Sequence, residues 1–269
     1  MRGNGPRLCL TLLTVFPLPD RGQAPDRGTA GAAMTWAPAV GLLLGVIAAV
    51  VLLAADHPLG LGPLTAAVLA VAALALLTRG LHLDGLADLA DGLGSGRPAG
   101  AALDIMRRSD IGPLGTVTVV LTLLIQVAAL SHAESSGGGR GAAALVAAVI
   151  TGRLAITWAC RRGVPAARPD GLGALVAGTV RPAIPAAITL GTLAAAVAAV
   201  VISAALSGDP LGWTLPLAVP AGLAAALGLE RHAVRRLGGI TGDVLGALAE
   251  VATTVALVVA ASGPAGLSW

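Results

Sequence analysis

Three carboxylates follow one of the longest apolar runs in the chain. In His82-Leu-Asp-Gly-Leu-Ala-Asp-Leu-Ala-Asp-Gly92 the aspartates Asp84, Asp88 and Asp91 stand at i, i+4 and i+7. At about 100° per helical residue they fall within roughly 60° of one face. Like charges four residues apart repel, so a face kept only for solvation would interleave arginine or lysine among them. The stripe therefore predicts a cation opposite it. Donors that are all oxygen suit magnesium or manganese; with no cysteine nearby and His82 the one imidazole at hand, zinc is disfavoured. The competing reading is a hydrated acidic helix end, against which stands the rarity of acidic clusters beside a membrane.

A second constellation lies in Leu237-Gly-Gly-Ile-Thr-Gly-Asp-Val-Leu-Gly-Ala-Leu-Ala-Glu250. Asp243 and Glu250, seven apart, share a helical face to within about 20°. Glu250 lies two turns into an apolar segment, where a carboxylate is costly unless it is paired or metal-bound, so it predicts function or a partner such as Arg153. The Gly238-Gly239-Ile240-Thr241 turn before it can aim backbone amides at an anion from a helix N-terminus. Arg107, Arg108 and Asp110 precede another apolar run. They suit a phosphate clamp, or interfacial anchoring with Asp104 as the partner. His82 is a base or ligand on one reading and a structural histidine on the other.

The elements that hold these groups belong in a bilayer. Of 269 residues, 56% are hydrophobic and 12% charged, against about 25% charged in a soluble domain, and the mean hydropathy is +0.87. This predicts an all-α, polytopic membrane bundle forming a single integral membrane domain, residues 1–269. Lysine is absent and all 17 basic residues are arginine. Their placement points to membrane topology and not to nucleic acid. Cys9 and Cys160 match no metal or redox spacing and read as small apolar residues.

About seven spanning helices are expected, near 39–55, 63–81, 114–130, 142–159, 183–206, 213–229 and 244–261. Residues 7–17, closed by Pro17 and Pro19, predict a short interfacial or re-entrant helix. Polar stretches at 20–31, 132–140 and 161–182 predict loops. With the N-terminus in the cytoplasm, fifteen of the 17 arginines fall inside, Arg140 outside and Arg153 within the membrane, a strong positive-inside bias. The same placement puts Asp56, Glu134 and Asp209 outside and the acidic stripe inside. A multi-pass protein of the cell membrane is expected, with its chemistry facing the cytoplasm. Carboxylates, arginines and an apolar body together suit a magnesium-dependent reaction on a phosphorylated substrate. In such a reaction a hydroxyl attacks in line while the metal neutralises the leaving phosphate.

The block Leu81-His-Leu-Asp-Gly-Leu-Ala-Asp-Leu-Ala-Asp-Gly92, with Met106-Arg-Arg-Ser-Asp-Ile-Gly-Pro-Leu-Gly115 and Leu237-Gly-Gly-Ile-Thr-Gly-Asp-Val-Leu-Gly-Ala247, resembles cobalamin synthase, the adenosylcobinamide-GDP ribazoletransferase family. Leu12-Leu-Thr-Val-Phe-Pro-Leu-Pro19 and Arg168-Pro-Asp-Gly-Leu-Gly173 extend the resemblance over nearly the whole chain. It implies that α-ribazole, or its 5′-phosphate, is joined to adenosylcobinamide-GDP with release of GMP, the nucleotide-loop assembly step of cobalamin biosynthesis. The ribazole 3′-hydroxyl would attack the phosphorus nearest cobinamide, with magnesium as cofactor. Asp84, Asp88 and Asp91 would be metal ligands, and Asp243 and Glu250 a second acidic site or general base. His82, Arg107, Arg108, Gly238, Gly239 and Thr241 would bind substrate, with Asp110 orienting the arginines. The lipid bilayer and other nucleotide-loop assembly enzymes are the implied partners. Two alternatives compete. A CDP-alcohol phosphotransferase would continue its acidic motif as Asp-Gly-x2-Ala-Arg, whereas here Ala87 is followed by Asp88. A transporter would use Arg153, Glu250 and Asp243 as a charge relay at midplane.

Overall fold

Apolar runs become helices, and aspartate, glycine or proline marks where they begin and end. The computed structural model describes residues 4–16, 25–108, 110–207 and 211–262. Helix α1 (Gly5–Leu13) packs on α2 (Arg27–Thr35), which starts where the Asp26 carboxylate accepts a 2.6 Å hydrogen bond from the Thr29 amide. The long helices α3 (Ala37–Asp56) and α4 (Pro63–Leu77) form a hairpin that leads into α5 (Leu81–Gly94) and the short α6 (Ala99–Ile105). Next come α7 (Pro113–Ser135), α8 (Arg140–Ala159), the short α9 (Gly171–Val176), α10 (Ala183–Ser207), α11 (Thr214–Leu237) and α12 (Gly242–Ala261). The architecture is all-α, as the sequence predicts. Among the described residues, backbone pairing outside helices includes two isolated parallel bridges, Arg161 to Val180 and Ala166 to Ile240.

Five helices (α3, α7, α8, α10 and α12) are long and apolar enough to cross a membrane, and a sixth span exists if α4 and α5 are taken together. That pair is bent by 87°, because Arg79 and Gly80 both adopt left-handed backbone conformations, φ 55° and 67°. We therefore treat α5 as lying across the bundle end and outside the spanning segments. The expected count of about seven thus becomes five or six. The segment near 213–229 lies in α11, whose last turns carry Glu230, Arg231, Arg235 and Arg236. Two expected loops also contain helices, α2 from Arg27 onward and α9 within 161–182, because Asp26 caps an alanine-rich run and Arg27 ties α9 in place. Its guanidinium donates to the carbonyls of Ala174 and Ala177. Arg2, Pro17, Pro19, Asp20, Arg21 and Asp209 lie outside the described residues.

The centre of the bundle is α8 and α12, 72% and 61% buried, while α7 and α10, at 17% and 11%, turn leucine and valine outward as lipid-facing helices do. Glycine lets the central helices approach closely. A Cβ at Gly41 or Gly45 of α3 would stand 2.9 to 3.1 Å from the backbone of α8, and one at Gly152 of α8 would meet the Ala249 carbonyl at 2.7 Å. The same device seats α5 on α12. A Cβ at Gly85 would lie 2.7 Å from the Asp243 carbonyl oxygen, and one at Gly246 would lie 3.1 Å from the Cα of His82.

Replacing Gly85 by leucine should therefore push α5 off α12. The expected destabilisation is about 1–3 kcal/mol, visible as a lower unfolding temperature in detergent. Gly100→Ala, where a Cβ meets nothing within 4 Å, should leave that temperature within a degree or two.

Candidate active site

The crossing of α5 over the N-terminus of α12 opens a cleft of about 360 Å³. Helix α5 supplies His82 and Asp84, the segment after α6 supplies Arg107, the connector after α8 supplies Arg168 and Asp170, and α12 supplies Asp243. Leu13, Met34 and Ile156 form an apolar floor. Thr241 caps α12, its hydroxyl accepting from the Val244 amide at 3.2 Å and donating to Asp243 Oδ2 at 3.1 Å. That second bond fixes the Asp243 carboxylate at the positive end of the helix dipole.

The connector reaches the site because two short backbone pairings hold it. The Arg162 amide donates to the Val180 carbonyl at 2.8 Å and the Val180 amide to that of Cys160 at 3.0 Å. Further along, the Ala167 amide donates to the Ile240 carbonyl at 3.0 Å and the Ile240 amide to that of Pro165 at 2.9 Å. Gly239 is needed for this second pairing, since a Cβ there would stand 2.3 Å from the Ala166 carbonyl carbon. Arg168 is thereby held over the acids, with one guanidinium nitrogen donating to the Leu103 carbonyl at 2.5 Å and its buried Nε without a hydrogen-bond partner. Neither Arg168 nor Asp170 was a site residue on the sequence reading. Their signal was the Arg-Pro-Asp-Gly-Leu-Gly stretch itself, which carried the resemblance but no role.

Of the acidic stripe, Asp84 lines the cleft, Asp88 stands one turn on within electrostatic reach of Asp84, Asp243 and Arg168, and Asp91 does something else. Both Asp91 oxygens accept backbone hydrogen bonds at the start of α7, from Gly112 at 2.7 Å and Gly115 at 2.9 Å. It is a helix cap reached across 21 residues, a geometry that i, i+4, i+7 spacing cannot reveal. Asp88 is half-buried, and burial together with the charges of Asp84, Asp243 and Asp91 pushes its carboxyl up to about 7, against the partly offsetting pull of Arg168.

The remaining predicted residues separate. Arg107 pairs with Asp170 at 3.1 Å, and not with Asp104 or Asp110; Arg108 and Asp110 are exposed outside the cleft. Gly238 ends α11 in a left-handed conformation, φ 85°, and like Gly239 serves the turn without lining the cleft. His82 is 2% exposed and neither ring nitrogen has a hydrogen-bond partner. Burial, with Arg153 nearby, holds its pKa far below the usual range, so the ring is neutral. Glu250 lies away from the cleft, accepting from Gln126 at 2.9 Å and facing Arg153. Arg153, the partner expected from the sequence, lines the same small pocket, but the hydrogen bond comes from Gln126.

The site's donors fit magnesium by type, since carboxylate oxygens dominate and no sulfur lies among them. The oxygens of Asp84, Asp88 and Asp243 do not form a group lying within 4.8 Å of one another, so they are not a closed all-protein cage. Magnesium seldom needs one: it is usually held by one or two carboxylates together with substrate phosphates and water.

Asp91→Ala should cost about 1–2 kcal/mol through loss of the α7 cap. It should lower the unfolding temperature in detergent, and Asp91→Asn, which keeps one acceptor oxygen, should lower it less.

The family described as Cobalamin-5-phosphate synthase matches residues 5–261. Three similar proteins carry the name adenosylcobinamide-GDP ribazoletransferase. The one from Frankia casuarinae is 46% identical over 263 residues, covering 95% of this chain and 93% of that protein. Those from Sinorhizobium medicae and a Nocardioides species are 40% and 37% identical, each covering at least 93% of both chains. No solved structure matches the chain. With the acidic block, the arginine segment and the glycine-threonine turn gathered around one cleft, and the match running almost end to end, the chain belongs to the cobalamin-5-phosphate synthase family.

Proposed function

We propose that this chain joins α-ribazole, or its 5′-phosphate, to adenosylcobinamide-GDP and releases GMP. The observation that carries this reading is the cleft that Asp84 and Asp243 share with Arg107 and Arg168, with Asp88 within electrostatic reach. Relatives covering nearly the whole chain bear the matching name. A diphosphate needs cationic groups on its oxygens, a receiver for the attacking hydroxyl's proton, and exclusion of competing water.

In this proposal Arg107 and Arg168 hold the phosphate oxygens, each restrained by a neighbour, Asp170 for the first and the Leu103 carbonyl for the second. Asp84 and Asp88, one turn apart on α5, are the residues that would hold magnesium. Bound there, magnesium would neutralise the phosphate and the charge developing on departing GMP. The ribazole 3′-hydroxyl forms its new bond to the phosphorus nearest cobinamide, the anhydride bond to GMP breaks, and the proton passes to Asp243, oriented by Thr241. The apolar floor of Leu13, Met34 and Ile156 keeps water from that phosphorus. Glu250 takes no part: it lies two turns deeper and is engaged with Gln126. That engagement also removes the main support for a transporter relay. The cleft opens to the cytoplasmic side of the cell membrane. Supporting this, Arg79, Arg107, Arg161 and Arg162 lie at its end of the bundle and Arg140 at the other.

Membranes carrying the protein, given adenosylcobinamide-GDP and α-ribazole, should form a cobalamin and GMP together, and only with magnesium. Asp84→Asn should reduce turnover at least a hundredfold while inserting normally; near-native turnover would remove Asp84 from the metal site. Because the Asp88 carboxyl titrates near 7, protons should compete with the ion below that pH and not above it. Manganese affinity of the purified protein should be flat above about pH 8 and fall roughly five- to tenfold per unit below pH 7. Asp88→Asn should abolish that slope.

A further inference from the structure

The chain carries a second group of ligand-type side chains at the far end of the bundle. Helix α3 begins next to Met34 of the cleft floor and runs 20 residues, about 30 Å, to Asp56. Helix α7 begins at the Asp91 cap and runs 23 residues in the same sense to Ser135. Their far ends bring together Asp56, His57 and Glu134, each offering one ligand atom, with the three atoms within 4.8 Å of one another. Nothing in the proposed reaction uses them.

One ligand atom from each residue can be chosen so that all three lie close enough to surround an ion, and the imidazole stands between the two carboxylates. His57 Nδ1 lies 3.9 Å from Asp56 Oδ2, and Nε2 lies 3.7 Å from Glu134 Oε1. Both are too long for hydrogen bonds, so the imidazole is not engaged by either carboxylate, and either nitrogen is free to serve as the one ligand it can offer an ion. A second observation is independent of the spacing. The Glu134 side chain is 3% exposed, and its Oε2 is buried without a hydrogen-bond partner. Room for it comes from Gly141 on α8, where a Cβ would be 2.1 Å from that oxygen. A carboxylate desolvated in this way needs a cation or a set of donors. The His57 side chain, 67% exposed, leaves the group open to water, so an ion can enter and keep a water ligand.

We propose that Asp56, His57 and Glu134 bind a divalent transition-metal ion of the zinc type, one imidazole nitrogen and two carboxylates with water completing the shell. The ion ties the turn after α3 to the end of α7. The site lies at the other end of the bundle from the cleft, so it braces the helices without touching substrate.

The full chain, purified in detergent without a polyhistidine tag and stripped with chelator, should bind one equivalent of zinc and unfold at a higher temperature when zinc is present. Because Glu134 is buried, the exposed His57 carries the test. His57→Ala should fold, weaken zinc binding at least tenfold and lose the thermal shift, while Asp84→Asn in the cleft keeps both. Absence of saturable zinc binding by the native chain overturns the proposal. So does a His57→Ala protein that responds as the native one does, and so does a zinc response lost in Asp84→Asn but retained in His57→Ala, which would move the ion to the cleft.

Discussion

The glycine-mediated contact between α5 and α12 is the constraint on which the site depends. An acidic helix has no reason to lie against the N-terminus of another helix whose first turn carries Asp243. Gly85 and Gly246 permit it by letting each backbone touch the other, so that dispersion and exclusion of lipid are gained over a large area. Asp84 and Asp88 are then brought into electrostatic contact with Asp243, and the repulsion is expressed in the carboxyl of Asp88. The site is thus a strained concentration of negative charge held by apolar packing. Cations, from the protein or from solution, are what relieve it.

Polar groups inside the bundle follow a different logic. Arg153, Glu250 and Gln126 meet between α7, α8 and α12, and Gln126 also donates to Thr254. In hydrocarbon each of these groups would be costly alone. Together they help set the rotation of three helices about their axes, and Asp243, on nearly the same face of α12 as Glu250, meets the cleft two turns nearer the helix start. Arg161 does similar work at the helix end, donating to Glu230 at 2.7 Å and lying 5.9 Å from the ring centre of Trp158, which joins α8 to α11.

The connector between α8 and α10 carries the cationic side of the site. It is anchored in the bundle core by Cys160, Val164, Val176, Ala177 and Val180, all buried. Paired backbone hydrogen bonds to Ile240 and the capping of α9 by Arg27 add polar anchors to that core.

The sequence by itself determined the all-α membrane architecture, most helix positions, the acidic block, the Asp243 turn and the need of buried Glu250 for a polar partner. Each of these is written in local periodicity or in the price of charge in hydrocarbon, and both act over a few residues. The family, too, was legible from contiguous motifs. What the tertiary structure alone decided lies between segments distant in the chain. Asp91 caps α7 and does not line the cleft, Arg168 and Asp170 enter the site, Arg108, Asp110 and Gly238 stay out of it, and the chain turns through 87° between α4 and the acidic helix α5. Hydrophobic periodicity says which face of a helix is apolar. It does not say which backbone amide will meet a carboxylate on that face, because that depends on how closely glycine allows two distant helices to approach.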